Sequence, residues 1–224
     1  MVNFEVDPAL VRPLAPRGVE IDCFEGRTYV SLVGFLFLDT RVLGLRIPFH
    51  SDFEEVNLRF YTRRKGPEGW RRGVTFVREI VPRTAIALAA KALYNEPYSA
   101  MAMRHSLAPG SVVHEWRHRG KWNRIEARYS GEPRPLESGS EAEFITEHYW
   151  GYTAQRDGGT VEYRVEHPSW RVWAAPTVTY DVDGVALYGP AFGSVLRGRP
   201  SSAFLAEGSG VTVYRGVAIA APDR

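Results

Sequence analysis

The chain has 224 residues, enough to bury a substantial core in one domain, and no long linker divides it. Its 28 Lys plus Arg against 26 Asp plus Glu leave a formal charge of +2, which argues against the concentrated basic patch that holds a nucleic acid. A single cysteine, Cys23, excludes an intramolecular disulfide and a multi-cysteine metal site, and it reads as a buried thiol.

Residues 1–18 contain Pro8, Pro13 and Pro16, which resist a regular element and suggest an arm lying over the domain. This stretch has neither the basic start nor the continuous apolar core of a signal peptide. The apolar run from Val30 to Leu38, broken by Ser31 and Gly34, is too short to span a bilayer. A cytoplasmic protein with no membrane partner is therefore expected. Tyr29 to Leu38 predicts a central strand buried on both faces. Ser51 to Glu55 reads as connecting chain. Val56, Leu58 and Phe60 then alternate with Asn57, Arg59 and Tyr61, the period of a strand that separates two environments. Lys65 to Gly69 supply a turn, and Trp70 to Ile80 return as the second strand of a hairpin.

A helix is predicted from Pro82 or Thr84, apolar through Ile86, Leu88, Ala89, Ala90, Ala92 and Leu93, and ended by Asn95 and Pro97. Lys91 departs from that apolar pattern. Val112 to Arg119 and Trp122 to Tyr129 form a hairpin about Gly120, and Phe144 to Gln155 with Thr160 to His167 form another about Asp157-Gly158-Gly159. Residues 170–189 fit either a short helix or two irregular strands. Gly189 to Ser202 is too rich in Gly, Pro and Ser for a long element, and Val211 to Ile219 supplies a terminal strand. The expected fold is mainly β with one principal helix (α+β), an antiparallel barrel-like or double-layered sheet.

His114-Glu115-Trp116-Arg117-His118 matches HExxH, which on a helix places two histidines on one face to hold zinc. Here the motif alternates as a strand, and extended chain sets the two histidines about 13 Å apart. No metal site is expected from it. Asn57, Arg59 and Tyr61 share one strand face and offer an amide, a fixed cation and a phenol, a set suited to a carboxylate. Arg78 and Glu79 of the second strand face opposite ways, so at most one shares that face; Glu79 is the pocket candidate, with Arg78 pairing toward Glu54 and Glu55 as the alternative. Lys91 and Tyr94 lie three apart on the helix, with Tyr98 beyond; Lys91 reads as a side chain snorkelling from the helix surface, the alternative being a lysine in an apolar pocket that can form a Schiff base. Glu147 and Tyr149 share a strand face and form a further polar-aromatic pair.

The succession VNLRFYT, GVTFVREIVPRTAIALAAKALYNEPYSAMAM and FITEHYWGYTA resembles the YqjF-like family of uncharacterised bacterial proteins, over most of residues 10–220. That family looks like a distant relative of acetoacetate decarboxylase, so the resemblance implies an acetoacetate decarboxylase-like sheet around a small-molecule cavity. Acetoacetate decarboxylases carry their Schiff-base lysine in a Pro-Lys-Lys motif shortly after the helix. The similar place here reads Pro97-Tyr98-Ser99, which lacks that nucleophile. The expected function is the binding of a small organic acid: Arg59 receives its anionic end, Asn57 and Tyr61 orient it, Tyr98 supplies a hydrogen bond or aromatic wall, and Glu147 is the acid/base group of any reaction. No cofactor is implied, and the expected assembly is a monomer or small homo-oligomer. The alternatives are a decarboxylase-like or carbonyl-metabolising enzyme with a different residue set, and an interaction protein whose surface presents Trp116, Trp122 and Trp150.

Overall fold

The computed structural model describes residues 1–39, 41–42, 45–46, 52–85, 87–88, 95–174 and 176–219. In chain order the strands begin with β1 (Val2–Val6), β2 (Glu20–Ile21), β3 (Thr28–Phe37), β4 (Arg41–Val42), β5 (Leu45–Arg46), β6 (Phe53–Gly66), β7 (Gly69–Val81), β8 (Tyr98–Ala100) and β9 (Ala102–Ala108). They continue with β10 (Ser111–His118), β11 (Lys121–Arg128), β12 (Trp150–Ala154), β13 (Thr160–Glu166), β14 (Val172–Ala174), β15 (Thr177–Asp181), β16 (Ser202–Ala206), β17 (Thr212–Val213) and β18 (Val217–Ile219). The helices with described bounds are α1 (Pro8–Val11), continued by a 3-10 turn at Arg12–Leu14, α2 (Glu141–Thr146) and α3 (Gly184–Arg197).

The large sheet runs β14-β16-β1-β3-β6-β7-β12-β13-β17, and a smaller one runs β15-β11-β10-β9. The two are layered. Val2, Phe4, Val30, Leu32, Leu58, Phe60 and Ile80 of the large sheet form one core with Trp116 and Ile125 of the small sheet and Leu187, Phe192 and Leu196 of α3. Period-two alternation sends the odd residues of β6 to the opposite face. There Tyr29, Tyr61 and Val74 pack against Phe144 and Ile145 of α2. The β-rich, double-layered expectation holds, with two corrections. The large sheet is mixed, because β7 pairs in parallel with both β8 and β12. The chain leaves β7 through a crossover rather than a tight hairpin, which requires a parallel return. The strand path is also open, so the sheet is not a closed barrel.

The β6–β7 hairpin contains one irregularity. Pairing is regular from Gly66–Gly69 to Arg59–Phe76, and the next pair is Leu58–Arg78, which leaves Val77 as an extra residue in a bulge. Beyond it, Asn57 lies directly beside Glu79.

Several elements differ from expectation for local reasons. Residues 1–18 are not an arm: β1 lies between β3 and β16, and Pro8 occupies the first turn of α1, where its missing N–H costs nothing and Asp7 caps Ala9 N at 2.8 Å. Residues 141–146 are helix, so Phe144 to Thr146 do not begin the expected strand: Ser140 Oγ accepts from Glu143 N at 3.1 Å and Glu143 reaches back to Gly139 N at 2.7 Å. The Gly/Pro-rich stretch from Gly189 is mostly helical. Gly189, at φ 87°, kinks α3, and Pro190 starts the second part, where it again lacks only a free N–H. The terminal strand is split into β17 and β18. Residues 84, 85, 87 and 88 are helical, while Lys91 and Tyr94 lie outside the described residues. Among the described residues no helix is long and apolar enough to cross a membrane.

Candidate functional site

Register places four side chains in a row across the large sheet. Val33 of β3, Asn57 of β6, Glu79 of β7 and Tyr98 of β8 are successive neighbours, and directly paired residues share a face. Glu55 continues that face two residues before Asn57. Asn57 Nδ2 donates to Glu55 Oε1 at 3.0 Å, and the Tyr98 hydroxyl donates to Glu55 Oε2 at 3.1 Å. Glu96 joins them from the segment before β8, where the Tyr163 hydroxyl donates to its Oε1 at 2.9 Å. Tyr163 reaches it by crossing β12 at Gly151, whose position has no room for a side chain: a Cβ there would lie 2.0 Å from Tyr163 Cζ.

The result is a buried nest of three carboxyls, two phenols and one amide. Glu55, Asn57, Glu79 and Glu96 are each at most 4% exposed. Burial pushes the Glu55 carboxyl up to about 7 and that of Glu96 up to about 8. Glu79 is raised well above the carboxylate range by burial, with repulsion from Glu96 and Glu55 added. Near neutral pH these groups hold protons that exposed carboxyls would have lost. They can therefore both give and accept hydrogen bonds, and exchange protons in the physiological range. Burial also raises Tyr98 and Tyr163, which stay phenolic. Two acceptors in the nest, Glu79 Oε2 and Asn57 Oδ1, receive no hydrogen bond among the described residues.

Arg59 follows on the same face of β6. Its Nη2 lies 3.4 Å from the carbonyl oxygen of Ile145 and 3.7 Å from Met1 Sδ, and its guanidinium carbon sits 5.7 Å from the Tyr61 ring centroid. Its Nε is buried without a partner, and among the described residues it forms no ion pair with a carboxylate. A half-buried guanidinium in that state suits an anion.

The other sequence candidates fall elsewhere. Tyr61 is fully buried and committed to the core, its hydroxyl 2.6 Å from Ser31 Oγ, which in turn donates to Asn3 Oδ1 at 2.7 Å. Glu147 and Tyr149 share no strand face, because α2 ends at Thr146 and β12 begins at Trp150; the Tyr149 hydroxyl donates to Glu147, and neither bonds to the nest. Lys91 cannot be placed, since it lies outside the described residues. His114 and His118 stand on β10, as their alternation implies, and burial pushes His114 down to about 4. Among the described residues no three His, Cys, Asp or Glu side chains converge as metal ligands. Trp116 is fully buried and so cannot form the proposed partner surface, whereas Cys23, expected buried, is exposed. An open groove of about 840 Å³ is lined by Leu88, Asn95, Gln155, Arg156, Asp157, Val161 and Ala218, none of which belongs to the nest.

Sequence reasoning missed Glu55, Glu96 and Tyr163. Glu55 was legible, since it extends the odd-numbered alternation by one step. The small Gly151 opposite Tyr163 is the only local sign of the second phenol. Nothing near Asn95-Glu96-Pro97 announces a buried carboxyl.

A family model described as an uncharacterised conserved protein, DUF2071, matches residues 1–209. The chain belongs to the DUF2071 family. Uncharacterized protein YqjF of Bacillus subtilis is 26% identical over 173 residues, spanning 74% of this chain and 69% of that protein. Among solved structures, acetoacetate decarboxylase from Legionella pneumophila superposes with a TM-score of 0.64 at 13% identity, covering 98% of this chain and 83% of the other. The enduracididine biosynthesis enzyme MppR complexed with pyruvate gives 0.65 at 13% identity, covering 99% and 88%. At that identity the DUF2071 chain shares a fold with both.

Proposed function

We propose that this DUF2071 chain binds a small organic acid on the odd-numbered face of β6, with the carboxylate on Arg59 and the remaining polar atoms toward the Glu55–Asn57–Glu79–Tyr98 nest. The observation that carries this reading is Arg59 itself: a half-buried guanidinium with an unpartnered Nε, on the same strand face as a shielded set of donors and acceptors. Few precisely placed polar groups on an apolar wall are what fixes a small ligand. MppR, which shares the fold, has been captured with pyruvate, and this makes pyruvate the first probe. The resemblance to the decarboxylases puts Tyr98 in the place of their lysine, and a phenol there supplies no nucleophile for imine chemistry. Calorimetric titration with pyruvate should give a saturable signal that Arg59→Ala abolishes. Unchanged binding in that variant would remove Arg59 from the site.

A second reading, proton transfer to or from a bound oxo acid, is favoured by one specific feature. Glu55, raised to about 7, holds a hydrogen bond from Tyr98, a pairing suited to general acid–base work near neutrality. Exchange of the pyruvate methyl protons with deuterated solvent, lost in Glu55→Gln, would distinguish catalysis from binding alone.

A further inference from the structure

The nest contains more acceptors than the protein satisfies. Glu79 Oε2 and Asn57 Oδ1 are both buried, belong to directly paired residues of β6 and β7, and receive no hydrogen bond among the described residues. Asn57 is 1% exposed, and its Nδ2 is already used on Glu55, which leaves its carbonyl oxygen to face a donor. The two phenol hydroxyls are spoken for as well, Tyr98 by Glu55 and Tyr163 by Glu96, so without a ligand only a proton held on the carboxyls themselves can serve these oxygens. A buried acceptor without a partner costs about 1–3 kcal/mol, so a donor-bearing group is the natural complement. The carboxyls do not converge in a metal-ligand set among the described residues, which directs the choice to an organic donor.

We infer that the nest is a subsite for a protonated amine, and that the organic acid held by Arg59 carries an amino group at its far end. This deepens the proposed acid binding and rests on it for the carboxylate half. Three N–H bonds of an ammonium match the Asn57 carbonyl oxygen and the Glu79 and Glu55 carboxyls. Arg59 and Asn57 are two residues apart on one strand, a rise of about 6.7 Å. With the carboxylate and the amine held at separate steps of the strand face, a short ω-amino acid is the ligand class that follows.

Binding such a ligand exchanges a proton of the nest for the positive charge of the amine. The groups that face the exchange are Glu55, Glu79, Glu96, Tyr98 and Tyr163, with Arg59 at the other end. Since burial holds protons on the carboxyls, the ammonium displaces one of them to solvent.

The test is calorimetry on the full chain at pH 7.5 with γ-aminobutyrate, α-aminobutyrate, butyrate and butylamine, each in two buffers of different ionisation enthalpy. The expected result is γ-aminobutyrate binding at least about tenfold tighter than butyrate or the α-isomer, the size of one charge-assisted hydrogen bond, with release of about one proton. Glu79→Gln, which removes a buried ionisable group and so keeps the fold, should erase the proton release and bring γ-aminobutyrate to the affinity that the same variant has for butyrate. Equal affinity for butyrate and γ-aminobutyrate, with Glu79→Gln neutral, would overturn the amine subsite and leave the acid reading standing. Butylamine binding that Glu79→Gln abolishes, with Arg59→Ala without effect on any probe, would sustain the subsite and sink the acid reading. No heat from any of the four overturns both.

Discussion

Replacing Glu96 by glutamine keeps the size and the acceptor that Tyr163 uses, and it removes only the ability to ionise. Folding raises this carboxyl from its ordinary 4.5 to about 8 by burial. The folded chain therefore holds the proton over a range where the unfolded chain has lost it, and stability falls as pH rises from 4.5 to 8. Each tenfold difference in proton affinity is worth about 1.4 kcal/mol. The loss in the wild type is then about 1 kcal/mol at pH 5 and about 4–5 kcal/mol at pH 8.5, a ceiling that relaxation of neighbouring Glu55 and Glu79 reduces. Glu96→Gln escapes this loss. Urea denaturation at the two pH values should place the variant within about 1 kcal/mol of the wild type at pH 5 and well above it, by about 2–4 kcal/mol, at pH 8.5, with unchanged m. A variant equally destabilised at both pH values would mean that Glu96 is folded as a carboxylate, and the protonated nest would have to be abandoned.

Three further substitutions probe the frame around the nest. Gly151→Ala forces its new methyl to within 2.0 Å of Tyr163 Cζ, so the ring must leave Glu96; a loss of about 3 kcal/mol by thermal or chemical denaturation is expected, and none in the double variant Gly151→Ala, Tyr163→Ala beyond that of Tyr163→Ala alone. Tyr61→Phe removes the hydroxyl bonded to Ser31 and should cost about 1–2 kcal/mol without altering ligand affinity, since Tyr61 belongs to the core. Trp116→Ala empties the interface between the two sheets and should cost about 3–5 kcal/mol, whereas a Trp on a partner surface would cost little.

Much of the frame was readable because it obeys simple periodicity. The alternation of Val56 to Tyr61 and the turns at Gly120 and Gly158 specify strands and hairpins that the structure contains. Where short-range chemistry competes with composition, the reading failed. Ser140, accepting from Glu143 N, and Glu143, accepting from Gly139 N, cap a helix made of residues whose apolar content resembles a strand. Gly189 and Pro190 look like breakers, yet they join two helical pieces at a kink. The site was half legible for a related reason. Asn57, Arg59 and Glu79 share a face, as expected, while Glu96 and Tyr163 arrive from segments far along the chain, and no local pattern records a contact that only the sheet order creates.

The extra residue at Val77 decides the polarity of the nest. Were the hairpin regular from its turn onward, continuing the Arg59–Phe76 pairing, the neighbour of Asn57 would be Arg78, and Glu79 would point at the opposite layer. One uncounted residue thus exchanges a guanidinium for a carboxyl with no change of amino acid. An insertion or deletion in the turn-proximal half of this hairpin that was absorbed at the bulge would invert the charge preference of the chamber in a single step. Among relatives of the same fold, ligand sign can accordingly diverge through backbone arithmetic while every side chain in the segment is preserved.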